Sequence, residues 1–228
     1  MSEDRPRNDH MSMTWQKALD VLKPSRAQLE HGLELHRQSV VCDSFGFQPK
    51  VWTRKLVDAM NAMIEEGVGY KEHGRRSTIM RIHNMTEDSA GAEEFLTALK
   101  ASGVTCLVQT VGGGGAVEGS LSNMAAHAHV YRTFRKHMFQ AGSAEEIREA
   151  KAEGRTAAIW SVNGPPGVGG EEDIDAKLEA LGTWHRLGVR LIGPKPSWTR
   201  ADGGEAGLHP SNVHDCEYAI GSINFTGD

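Results

Sequence analysis

Apolar positions along this chain fall into two kinds of block, and their alternation predicts the fold. Four blocks are short and dense: residues 39–43, 104–111, 157–162 and 189–192. Apolar runs of this length that end on polar or glycine-rich residues predict strands of a buried parallel sheet. Between them, apolar residues recur every three or four positions, which predicts helices. One helix is expected over 15–22, closed at Lys23-Pro24 because proline cannot continue the ladder. Ser25 is placed to cap a second, with Leu29, Leu33 and His36 on one face. A third, over 53–66, carries Leu56, Met60, Met63 and Ile64 and stops at Gly67, and a fourth over 90–102 carries Phe95, Leu96 and Leu99 before Gly103. Val130, Phe134 and Met138, spaced by four, predict a long helix over 121–140. Ser143-Ala144-Glu145-Glu146 opens a short helix with a capping-box pattern, and Ile174, Leu178 and Leu181 mark a last one over 174–187. Residues 68–88, polar and basic, are expected to run over the surface. Residues 1–13 are expected to form a disordered lead-in.

Strand, loop and helix repeat about four times, which implies right-handed βαβ units, a parallel sheet and an α/β fold. The unusual loops all follow strands, the edge where barrels and open sheets place their chemistry.

Composition narrows the function classes. With 228 residues, 39% of them hydrophobic and 24% charged, the chain is long enough to bury a core and ordinary for a soluble protein. A formal charge of −5 argues against a nucleic-acid binder, which concentrates excess Lys and Arg. No apolar run approaches the roughly 20 residues of a membrane span. Residues 1–10 lack the apolar core of a secretory signal, so a cytoplasmic location is expected. Three widely spaced cysteines argue against a disulfide framework and for a reducing compartment. Cys42 and Cys106 are expected to be buried thiols on strands.

Candidate chemistry lies in the loops. Gly112-Gly113-Gly114-Gly115 follows a strand, but no Lys-Ser or Lys-Thr follows to make a phosphate loop. A barrel-mouth loop is the better reading, and a nucleotide-binding α/β protein is the weaker alternative. His127 and His129, two apart on a helix, point to different faces and make a poor pair of ligands. Those two, with His73, His83 and His185, are expected to be structural. Asp43, at the C-terminal end of the first strand, can bind a metal, orient a water or cap its loop. Lys195, Arg200 and Asp202 form a polar group after the last strand, either a solvated loop or a site for a substrate carboxylate.

Several stretches together resemble the membrane (renal) dipeptidase family, zinc metallopeptidases on an amidohydrolase-type (β/α)8 barrel. The first is Leu35-His36-Arg37-Gln38-Ser39-Val40-Val41-Cys42-Asp43, similar to the entry into the family's first strand. Gly103-Val104-Thr105-Cys106-Leu107-Val108-Gln109 resembles its second strand. A third stretch runs from Ser143-Ala144-Glu145-Glu146-Ile147 to Thr156-Ala157-Ala158-Ile159, and the most specific one from Leu178-Glu179-Ala180-Leu181 to His185-Arg186-Leu187-Gly188-Val189-Arg190-Leu191. Ala201-Asp202-Gly203 and Ala206-Gly207-Leu208 also fit. The resemblance covers about residues 30–212 in the right order, and implies a TIM-barrel-like α/β fold of which this chain carries the first half. The domain organisation expected is a lead-in over 1–13, the barrel portion over 14–212 and a divergent tail over 213–228.

The resemblance implies hydrolysis of a dipeptide or small amide with zinc as cofactor. It also implies that the zinc ligands are replaced. The family's first strand ends in Asp-x-His-x-Asp, and the ligand positions here are Phe45 and Phe47, leaving Asp43. The carboxylate that bridges two zincs corresponds to Asn163, in an Asn163-Gly164-Pro165-Pro166 loop similar to that of a divergent bacterial branch. The substrate-binding His falls near Pro196. Phenylalanine has no lone pair for zinc, and a neutral Asn bridges two cations poorly. Asp43 and Asn163 are therefore the expected site residues, with Lys195 and Arg200 as substrate-binding candidates and no metal site assigned. The alternative is a non-catalytic relative that keeps the scaffold and binds a small ligand or a protein. Half a barrel leaves open sheet edges, so a homo-oligomer or a separate C-terminal half is expected to cover them.

Overall fold

The computed structural model describes residues 9–44, 48–113, 117–163 and 174–192. They form an α/β fold with a parallel sheet, as the alternation of blocks predicts. The chain divides into two compact units, Met1–Val108 with Ala128–Ala158, and Gln109–His127 with Ile159–Asp228.

In the first unit, helix α1 (Asp9–Leu22) begins well before Trp15. Met11, Trp15 and Leu19, four apart, are its half-buried positions, so residues 9–13 belong to a helix and not to the expected lead-in. Helix α2 (Arg26–Gln38) has the capping box of its sequence: Ser25 Oγ accepts from the Gln28 amide, and the Gln28 side chain accepts from the Ser25 amide. It buries no residue fully, with Leu29 and Leu33 half-buried and His36 exposed. Strand β1 (Cys42–Asp43) is only two residues long. Thr53 caps α3 (Arg54–Glu65), which buries Leu56 and Met63.

The stretch expected to wander over the surface is instead helix α4 (Tyr70–Thr86). Its buried positions are Ser77, Ile82, Asn84 and Met85, so half of the inward stripe is polar and the apolar period is hidden. Asn84 makes that stripe a hydrogen-bonded one. Its Oδ1 accepts the Thr53 hydroxyl at 2.5 Å and its Nδ2 donates to the Val51 carbonyl at 3.4 Å. Asp88 caps α5 (Ser89–Ser102), which packs on α4 through Gly91. A Cβ at Gly91 would lie 1.9 Å from the Asn84 carbonyl oxygen, so only glycine permits this approach. Helix α5 ends at Gly103 in the left-handed conformation, φ 62°, where glycine carries no Cβ penalty.

Strand β2 (Cys106–Gly113) follows, then α6 (Val117–Thr133) and β3 (Met138–Ala141). The long helix expected over 121–140 is thus a helix, a turn and a strand. The amides of His137 and Met138 both donate to the Phe134 carbonyl, tightening the turn. Val130, Phe134 and Met138 are all buried, so the spacing by four marks core positions on either side of a turn. Phe134 stacks on Phe95 with ring centroids 4.8 Å apart. Ser143 caps α7 (Ala144–Glu153), Gly154 closes it, and β4 (Thr156–Asn163) begins. The amides of Thr105 and Cys106 donate to Val41, the Ala157 amide to Thr105, and the Thr156 amide to His137. These bonds stitch the order β1-β2-β4-β3.

In the second unit, α8 (Ile174–Arg186) leads into β5 (Val189–Ile192), which pairs parallel with β4 through Trp160 opposite Val189. Among its described residues, Val111, Met124, Trp160, Val162, Trp184 and Val189 are the buried apolar ones. No helix among the described residues is long and apolar enough to cross a membrane.

Candidate functional site

Each expected strand-end residue that can be described is where the sequence puts it. Asp43 closes β1, in register with Leu107 of β2. It is exposed at the C-terminal end of its strand. Asn163 is the last residue of β4. Phe45, Phe47, Pro196, Lys195, Arg200 and Asp202 lie outside the described residues, as does the tail from Val213.

The second unit carries polar groups that the motif reading missed. Thr110 Oγ1 and Ser161 Oγ share a hydrogen bond of 3.2 Å across β2 and β4. Gln109 is buried beside them in sequence, and its Nε2 donates to the Thr110 carbonyl at 3.0 Å. Two residues beyond Thr110, the backbone at Gly112 lies against α6. A Cβ there would meet Ser120 Oγ at 2.5 Å. The start of the glycine run, Gly112 in β2, thus has a packing reason. Cross-strand pairing of hydroxyls has no one-dimensional signature, because register decides which residues meet.

Three of the histidines have describable surroundings. His73 shares its two ring nitrogens with the Met60 carbonyl (3.3 Å) and the Ser77 hydroxyl (3.4 Å). His83 lies 3.9 Å from Glu87, one turn along α4. Burial pushes the His127 imidazole down to about 4, so it is neutral at pH 7. Among the described residues no three His, Cys, Asp or Glu side chains converge as a metal group.

In the first unit the helices α3 and α4 border a cleft of about 380 Å³ lined by Lys55, Leu56, Met80, His83, Asn84 and Asp88. Asp88 caps α5 and Asn84 bridges Thr53 to Val51, so both hold helices in place.

The same unit holds the two described cysteines side by side. Cys42 and Cys106 are register partners on β1 and β2. Cys106 is buried as expected, but Cys42 is exposed, because β1 is short and lies at the end of the strand order.

No family model matches the chain. Over 58 residues, 25% of its length, it is 60% identical to a urea amidolyase from Lachancea kluyveri and 57% identical to one from Saccharomyces cerevisiae. It spans only 3% of the length of either enzyme. Among solved structures it is similar to an amidohydrolase from Pseudomonas aeruginosa, at 18% identity and a TM-score of 0.42 over 70% of this chain and 35% of that one. It is also similar to a dipeptidase AC, a metallopeptidase of family M19, at 20% identity and a TM-score of 0.40 over 52% and 40% of the two chains. The motifs read from the sequence pointed to the dipeptidases and carried no sign of the urea amidolyases.

Proposed function

We propose that this chain is a dipeptidase-like α/β scaffold that binds a dipeptide or a related small amide at the C-terminal ends of its strands. One observation carries the reading. The four stretches that resemble the family fall on α2–β1, β2, α7–β4 and α8–β5, so the resemblance follows consecutive strand-bearing segments of the fold.

Asp43 is the residue best suited to such a ligand. An exposed carboxylate at a strand end accepts charge-assisted hydrogen bonds from an ammonium or amide N–H. Asn163, on its own strand, offers both a donor and an acceptor for a peptide group. Lys195 and Arg200 are assigned the substrate carboxylate, as cations in the segment after β5. The urea amidolyase similarity adds urea, itself a small amide, to the ligands worth testing.

The first zinc site of the parent family does not fit these residues. Phe45 and Phe47 supply no donor, and Asn163 supplies a neutral one where a bridging carboxylate is needed. We therefore assign no step to zinc.

That replacement of ligands favours a second reading, a non-catalytic relative that keeps the ligand-binding edge. The two are separated by measuring hydrolysis of a dipeptide panel alongside the zinc content of protein purified without chelator. Turnover abolished by Asp43→Ala establishes the hydrolase. Saturable binding without turnover establishes the non-catalytic relative.

A further inference from the structure

The chain has three cysteines, and the described structure brings two of them together from positions 64 residues apart. Cys42 and Cys106 are direct register partners on adjacent parallel strands. Residues paired this way project to the same face of the sheet. Neighbouring strands lie about 4.8 Å apart, within the roughly 4.4–6.8 Å Cα separation that a disulfide spans. Both thiols are free. The bland alternative, two inert core thiols, fits Cys106 but not Cys42, which is exposed.

We propose that Cys42 and Cys106 are a redox-active pair that closes to a disulfide by exchange with a small-molecule disulfide such as oxidised glutathione. The asymmetry of the pair fixes the order of events. Cys42, the accessible sulfur, attacks as its thiolate. One S–S bond breaks, a Cys42–glutathione mixed disulfide forms, and one glutathione leaves as its thiol after taking up a proton. Cys106, as its thiolate, then attacks the Cys42 sulfur, breaks the mixed disulfide and releases the second glutathione. The two cysteines lose two electrons and two protons, and the glutathione disulfide gains both.

Burial pushes the Cys106 thiol up to about 11, with the charge and hydrogen bond of Cys42 adding to it. Little of the Cys106 thiol is ionised at neutral pH, and a thiolate population that grows with pH accelerates the second step. The closed form ties β1 to β2 one residue before Asp43, and the reaction itself is independent of any ligand at Asp43.

The test is peptide mapping of the full-length chain after incubation with oxidised glutathione at pH 8.5, with remaining thiols alkylated. The expected result is a cross-linked peptide pair holding Cys42 and Cys106, with glutathione retained on neither. In a Cys106→Ala variant the expected product is glutathione held on Cys42. A wild-type chain that keeps glutathione on Cys42 with Cys106 still alkylated, links Cys42 to Cys216, or shows no reaction overturns the proposal.

Discussion

Thr110 and Ser161 join their hydroxyls at 3.2 Å, Thr110 from β2 and Ser161 from β4. Ser161 is only 8% exposed, so its hydroxyl depends on protein partners more than on water. Removing one member of such a pair leaves the other short of a partner, at about 1–3 kcal/mol, whereas removing both is close to neutral. The pair is expected to show coupling of about 1 kcal/mol in a double-mutant cycle of Thr110→Val and Ser161→Ala, read from denaturant melts. Strict additivity would mean that the two hydroxyls do not depend on each other.

Gly91 and Gly74 make opposite predictions on neighbouring helices. A Cβ at Gly91 meets the Asn84 backbone carbonyl at 1.9 Å, and backbone cannot step aside as a flexible side chain can. Gly91→Ala is expected to destabilise the protein by about 1–3 kcal/mol. At Gly74, inside α4, nothing lies within 4 Å, so Gly74→Ala is expected to stabilise by about 0.5–1 kcal/mol through helix propensity. Thermal melts of the two variants should move in opposite directions from wild type.

His127 gives a pH signature. Burial holds its imidazole at about 4, below the ordinary imidazole value of 6.5 that the unfolded chain approximates. Between those values the unfolded state binds a proton that the folded state does not, so stability rises with pH across this window. The contribution is complete above pH 6.5 and is lost as pH falls toward 4, to a total of about 3 kcal/mol. Comparing urea melts of wild type and His127→Gln between pH 4 and 7.5 should show a difference that shrinks as pH falls. A constant difference would contradict a neutral buried imidazole.

The fold was legible where one pattern dominated. Ser25, Ser143 and Gly103 carried their capping roles openly, and β2, β4 and β5 read as dense apolar runs. Helix α4 escaped because Ser77 and Asn84 sit on its inward stripe, a choice that only their hydrogen bonds explain. Strand β3 escaped because Phe134 and Met138 kept helical spacing across a turn. Asp43 and Asn163 were placed at strand ends correctly, because strand ends are readable in one dimension. The contacts of Cys42 with Cys106 and of Thr110 with Ser161 were not, since both depend on strand register.

Ligand binding tests the central claim most directly. Isothermal titration of the full chain with alanylalanine, and separately with urea, should be run on protein whose zinc content has been measured. The account predicts saturable heat with alanylalanine that does not depend on added zinc. It also predicts a loss of tenfold or more in affinity in Asp43→Ala, the roughly 1.5–3 kcal/mol of a hydrogen bond to a charged group. The absence of heat with either ligand would contradict the account. So would binding or turnover that follows stoichiometric zinc and is untouched by Asp43→Ala.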